Sequence, residues 1–216
     1  MPGVGLPAHD RMTDVPLVVL IATIWTFWLG VAIMVLRTRR RTHKRVGLVP
    51  EHRIERIMWL VWVPSAAVWM FLPYAALTRA TAPFALPEFV NAAPYQIVRW
   101  IAAASAVAAL IAIIRSWLRM GDDWRMDVGS SKSALITDGL FRFIRHPIYS
   151  FSMLLVVCSA LVVPTAPMIG IAVILLTLWN LKARIEEQHL SAVHGETYRR
   201  YVSRTGRFFP RLRARE

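Results

Sequence analysis

Two short runs in this chain carry side chains that could do chemistry. Arg145-His146-Pro147 offers a guanidinium and an imidazole, with the phenol of Tyr149 one helical turn on. Far along the chain, Glu186 and Glu187 supply adjacent carboxylates beside Lys182 and Arg184. An imidazole with carboxylates can move a proton, and ionisable groups at the edge of a membrane bundle are costly enough to be a functional hypothesis by default. The alternative is structural: Arg145 and His146 anchor a helix end among headgroups, while Glu186 and Glu187 offset nearby basic charge. Other chemistries find less support. His189 and His194 are off a shared helix face, and Glu186 with His189 is a single Glu-x-x-His pair where di-iron bundles use two, so no metal site is expected. There is no glycine-rich phosphate loop and no Gly-x-Ser-x-Gly elbow. A lone cysteine, Cys158, excludes an intramolecular disulfide and a cysteine-ligated zinc site, and sits in an apolar run as a small core residue.

The elements that must position these residues are membrane helices. The chain has 216 residues, 56% hydrophobic and 18% charged, with a formal net charge of +13 and a mean hydropathy of +0.45. That composition excludes a water-soluble monomer and a disordered chain. Pro16 to Leu36 and Ile57 to Leu77 are each 21 residues without a charge, enough to cross about 30 Å of hydrocarbon. A cleaved signal peptide fits the first poorly, since its basic cluster Arg37 to Arg41 follows the apolar stretch. Pro64 and Pro73 in the second are tolerated where neighbouring helices satisfy the freed carbonyls. A third span centres on Ile101 to Ile114 and starts near Pro94, with Arg99 and Arg115 expected to snorkel toward opposite interfaces.

Two further apolar stretches, Ile148 to Val163 and Met168 to Leu181, are joined only by Pro164-Thr165-Ala166-Pro167. That connection permits two antiparallel helices and little else. At 16 and 14 residues each is short, so re-entrant helices are the alternative to spans whose polar inner ends run on into water. The expected fold is therefore all-α and polytopic: about five transmembrane helices, a C-terminal helical hairpin and a cytoplasmic C-terminal helix continuing the last span. Residues 1–114 would hold the first three helices and 115–216 the catalytic region.

Five crossings place the termini on opposite sides, and 23 of the 26 Lys and Arg residues then fall on one of them. The positive-inside rule makes that side cytoplasmic, with the N-terminus outside. The basic excess is spread over juxtamembrane segments, where topology and anionic lipid explain it, so no nucleic-acid partner is expected. The hairpin brings Arg145-His146-Pro147 to the same depth as Lys182 to Glu187. Beyond these, Tyr198 and Tyr201, one turn apart, could join Leu190 and Val193 in a stripe packed over the polar site, or in an amphipathic helix lying on the membrane.

Taken together, Gly139-Leu140-Phe141-Arg142-Phe143-Ile144-Arg145-His146-Pro147-Ile148-Tyr149, then Glu186-Glu187 and Gly195-Glu196-Thr197-Tyr198, resemble the isoprenylcysteine carboxyl methyltransferase family. The likeness covers roughly residues 115 to 212, including Gly121-Asp122-Asp123-Trp124 and the closing Thr205-Gly206-Arg207-Phe208-Phe209-Pro210; the first three helices carry no diagnostic motif. The Arg-His-Pro-x-Tyr plus Glu-Glu arrangement is shared across a wider superfamily that includes phospholipid N-methyltransferases and some membrane sterol reductases. The resemblance implies S-adenosylmethionine as methyl donor, bound at the cytoplasmic end of the hairpin and enclosed by the C-terminal segment. His146, Pro147, Ile148 and Tyr149 match the cofactor-contacting motif, Ser133, Ala134, Leu135 and Ile136 a backbone-contacting strip, and Glu186 the cofactor-binding glutamate. Arg145, His146, Glu187 and Lys182 are the candidate catalytic residues. Phe141 stands where many members have Tyr. Lys182 stands where the isoprenylcysteine enzymes have an Arg that holds the substrate carboxylate; Lys supplies the charge without the planar fork.

The acceptor implied is a lipophilic molecule, prenylated or lipid, reaching the site from the bilayer through a gap between helices lined by Trp and Phe. A carboxylate acceptor needs no base, whereas an ammonium acceptor must first lose a proton, to His146 or Glu187. A membrane reductase of the same superfamily and a non-enzymatic lipid-binding protein are the competing readings.

Overall fold

The computed structural model describes residues 14–42, 53–79, 81–121 and 135–211. Its elements are α1 (Val15–Thr42), α2 (Arg53–Thr78), a 3-10 turn (Glu88–Asn91), α3 (Ala93–Met120), a second 3-10 turn (Gly139–Arg142), α4 (Pro147–Val162), α5 (Ala166–His194) and α6 (Glu196–Arg204). The protein is an all-α integral membrane protein. Among the described residues, four helices are long and apolar enough to cross a bilayer: Val15–Thr38, Arg56–Thr78, Ala93–Met120 and Ala166–His194. The fifth expected crossing, α4, is apolar but has only 16 residues, about 24 Å at the helical rise. It lies antiparallel to α5 across the short proline-flanked turn, as its sequence demands.

Local signals set the helix ends. Asp14 caps α1, its Oδ1 accepting from the Leu17 N–H at 3.2 Å. Pro94, Pro147 and Pro167 stand in the first turns of α3, α4 and α5, where a missing N–H costs nothing. The α4 helix packs between α3 and α5, and α1 and α2 close the bundle around them. Alanines 102, 103, 106 and 109 on α3 are all buried and let the neighbouring backbones approach closely. Trp69 of α2 is fully buried and donates from Nε1 to Ser159 Oγ of α4 at 3.1 Å. Large apolar side chains such as Leu29, Ile33, Ile101 and Val173 face outward, as lipid-facing positions do.

Two expectations need correction. Arg99 does not reach for an interface: it is 1% exposed and inside the bundle. Its Nη2 donates to Asp14 Oδ2 at 2.6 Å and its Nε to the Val162 carbonyl at 3.1 Å. A carboxylate and a helix-end carbonyl within reach satisfy the guanidinium without water, so snorkelling has nothing to gain. Arg115, by contrast, is exposed. Nor does the last span simply run on to the end of the chain. The α5 helix stops at Gly195, whose φ of +51° suits a residue without a side chain, and α6 begins directly after it. Beyond α6 the segment 205–211 folds back, and Ile144 and Gly206 form an isolated parallel bridge.

Candidate functional site

At the bundle end opposite Asp14 and Arg99, the start of α4, the polar half of α5 and the closing segment meet. His146 occupies the residue before α4, and its ring is buried. Its Nδ1 lies 3.5 Å from Glu186 Oε2 and its Nε2 3.4 Å from Glu187 Oε1. Both distances are long for hydrogen bonds, so the contacts are charge pairings. The ring stacks on Tyr149, with centroids 5.4 Å apart and planes 11° from parallel, and Phe208 approaches from the closing segment at 6.2 Å. Burial opposes a charge on the imidazole, but the Glu186 and Glu187 carboxylates outweigh it and hold the pKa above the ordinary histidine value.

Glu187 is the hub of the ion pairs. Its Oε1 accepts from Arg145 Nε at 2.9 Å, and its Oε2 accepts from Arg207 through Nε at 3.0 Å and also through Nη2. Arg145 Nη1 donates to the Thr205 carbonyl at 2.5 Å and to the Val202 carbonyl of α6 at 3.5 Å. The backbone repeats the pairing: Arg145 N–H donates to the Gly206 carbonyl at 2.8 Å and His146 N–H to the Arg207 carbonyl at 3.2 Å. Above this, α6 turns Tyr198 inward, where burial and then the Glu187 charge push its phenol above the usual range. Tyr201 donates to the Phe141 carbonyl at 2.7 Å, so the tyrosine stripe packs over the polar site. Leu190 and Val193, expected in the same stripe, belong to α5 and are half-buried.

The cluster borders a cleft enclosing about 1150 Å³ of empty space, open solvent at its mouth included. Arg145, His146, Tyr149, Lys182 and Glu186 contribute charge and polarity to its lining. Its apolar part comes from the other helices: Phe27 on α1, Trp59 and Trp62 on α2, Trp117 on α3 and Trp179 on α5. One end of the cleft therefore suits a charged ligand and the rest an aliphatic or aromatic one. Glu187 is absent from the lining: its carboxylate is turned into the arginine pairs.

The structure thus brings together Arg145, His146, Tyr149, Lys182, Glu186 and Glu187. Pro147 is buried in the first turn of α4, and Ile148 lines the cleft. Leu135 and Ile136 are half-buried coil residues ahead of the second 3-10 turn and are not among the cleft residues. Ser133 and Ala134 lie outside the described residues, as do Asp122, Asp123 and Trp124. Among the described residues, no group of three or more His, Cys, Asp or Glu is placed to hold a metal ion.

Residues 97–197 match the phospholipid methyltransferase family model. The matched stretch runs from α3 into the start of α6 and contains His146, Glu186 and Glu187. Among curated proteins, none matches the chain. The family match supports a membrane methyltransferase of the wider phospholipid methyltransferase-like superfamily, and a substrate of the membrane-lipid type fits it. It leaves the acceptor open.

Reading the sequence alone missed one contributor and left another unlocated. Arg207 stood out only as part of a closing motif, with no role attached. The aromatic wall matches the expected gap between helices lined by Trp and Phe, but that expectation named none of its residues.

Proposed function

We propose that the chain is an S-adenosylmethionine-dependent membrane methyltransferase acting on a lipophilic acceptor, with carboxyl O-methylation of an isoprenylcysteine-like molecule preferred over amine N-methylation. The observation that carries this reading is one cleft with two characters: His146 and Glu186 at one end, a wall of Trp and Phe along the rest. The residues present fit such a cofactor. Glu186 lines the cleft and is a third exposed, so it can attract a cationic group, and the Tyr149 ring lining the same cleft can pack against it.

Bound there, S-adenosylmethionine would supply an electrophilic methyl on a cationic sulfur. The protein's part is positioning and exclusion of water. Arg145 and Lys182 line the same cleft and can draw an acceptor carboxylate toward its charged end. A carboxylate is a nucleophile as it stands. An ammonium would need a base; Glu187 is engaged by two arginines and turned from the cleft, which leaves His146 as the candidate for that role. A carboxylate acceptor needs neither. The family match, described for phospholipid methyltransferases, favours the amine alternative.

The polar cofactor would come from the aqueous side and the acceptor from the bilayer. The distribution of Lys and Arg supports a cytoplasmic site and an external N-terminus. The test is incubation of the purified protein with methyl-labelled S-adenosylmethionine and fractionated membrane lipids. Label that alkali removes is an ester and supports carboxyl methylation; alkali-stable label points to nitrogen, and no label in any fraction overturns the reading.

A further inference from the structure

Arg207 lies beyond the matched region and has no assigned task, yet it closes the ion-pair hub. The closing segment is built to bring it there. The Gly206 N–H donates to the Phe143 carbonyl at 3.2 Å, and the Gly206 carbonyl accepts from the Arg145 N–H at 2.8 Å. At Gly206 a Cβ would collide with the Phe209 carbonyl, so the segment can fold this tightly only with glycine at that position. Thr205 Oγ1 ties the segment to the end of α6 through the Tyr201 carbonyl at 2.7 Å. Arg207 emerges from this turn and meets Glu187 with two nitrogens on one oxygen. The other oxygen of that carboxylate holds Arg145 and faces His146.

We propose that Arg207 is a positioning residue for cofactor binding: by bonding Glu187 it fixes the carboxylate against which Arg145 and His146 are oriented, and it fastens the closing segment against those two residues at the charged end of the cleft. The inference rests on the proposed cofactor site and adds to it a residue that acts through another. Glu187 is half of the device. Without Arg207, its Oε2 has lost its two donors, and the carboxylate is free to rotate out of register with Arg145. The Glu187 charge stays beside His146, but the carboxylate no longer holds the ring in one orientation.

The electrostatics give a signature that mere loss of packing does not. The charged or titratable groups around His146 are Glu186, Glu187 and Lys182 on α5, Arg145 beside it, Tyr149 on α4, Tyr198 on α6 and Arg207 on the closing segment. Removing the positive Arg207 leaves the environment of the imidazole more negative and favours its charged form; removing the negative Glu187 does the reverse.

The experiment measures the dissociation constant of S-adenosylhomocysteine for the full-length protein in detergent, between about pH 5 and 9, by titration calorimetry. Expected for Arg207→Gln is at least about tenfold weaker binding at neutral pH, with the pH limb assigned to His146 displaced upward; Glu187→Gln should displace it downward. The double variant should be no weaker than Glu187→Gln alone, because the two residues act as one unit, and Arg207→Lys should recover part of the loss. Binding by Arg207→Gln equal to that of the parent, additive losses in the double variant, or displacement of the limb in the same direction by both single changes would each overturn the proposal. A parent that does not bind S-adenosylhomocysteine would instead remove the cofactor reading on which it stands.

Discussion

Arg99 offers the sharpest test of the packing, because its side chain is buried and its partners are few. The change Arg99→Met removes a guanidinium that is 1% exposed, keeps most of the volume, and leaves Asp14 facing the site of a lost partner. Breaking a buried ion pair from one side costs about 3–5 kcal/mol. Asp14 retains 16% exposure, so water recovers part of the loss, and about 3 kcal/mol is expected. The carbonyl of Val162 at the end of α4 loses its donor as well. For a chain of this length each kcal/mol moves the unfolding midpoint by about 2–4 °C, so a fall of roughly 6–12 °C should be seen on heating in detergent. The companion change matters more. Asp14 also caps α1, and Asn caps nearly as well as Asp, so Asp14→Asn in the Arg99→Met background removes the stranded charge and keeps the cap. The double variant should regain most of the loss. A single variant that unfolds within a degree or so of the parent, or a double variant no more stable than the single, would refute the assignment of Arg99 and Asp14 as a buried pair.

Two other outcomes follow from the same contacts. A Cβ at Gly30 would sit 2.6 Å from Trp117 Cζ3, so Gly30→Ala should cost about 1–3 kcal/mol by overpacking and drive the ring toward the cleft it lines; thermal unfolding should show that cost shrinking in a Trp117→Leu background, and an equal cost in both backgrounds would count against the contact. For His146 the sign of the pH effect is fixed. Its folded pKa lies above the unfolded value of about 6.5, so its contribution to stability is complete below that value and fades as the pH rises through the folded pKa. Between about pH 6 and 9 the parent should therefore lose more thermal stability than His146→Gln, and parallel profiles would contradict the charge pairing.

How far the sequence could be read depended on whether a local constraint was at work. The meeting of His146 with Glu186 and Glu187 was legible because the turn of Pro164 to Pro167 leaves two apolar helices no option except to lie antiparallel, which fixes the depth of their polar ends. The start of α3 at Pro94 was legible for a similar reason, a proline's fit to a first helical turn. Arg99 was not: its position near a helix end suggests snorkelling, and nothing local reveals a carboxylate 85 residues away. The break at Gly195 also escaped, since a single glycine in a polar helical stretch is tolerated as often as it terminates. Arg207's pairing, and the residues that form the aromatic wall, became visible only once the fold had placed the closing segment against the ion pairs and α1 and α2 along the cleft.

The account stands on His146 and Glu186 forming the end of the cleft that receives the methyl donor. Transfer of labelled methyl from S-adenosylmethionine into extracted lipid, measured for the parent, His146→Ala and Glu186→Gln at matched folded concentration in detergent, addresses that directly. The account predicts transfer by the parent and its loss from both variants; transfer at the parent's rate by both would contradict it.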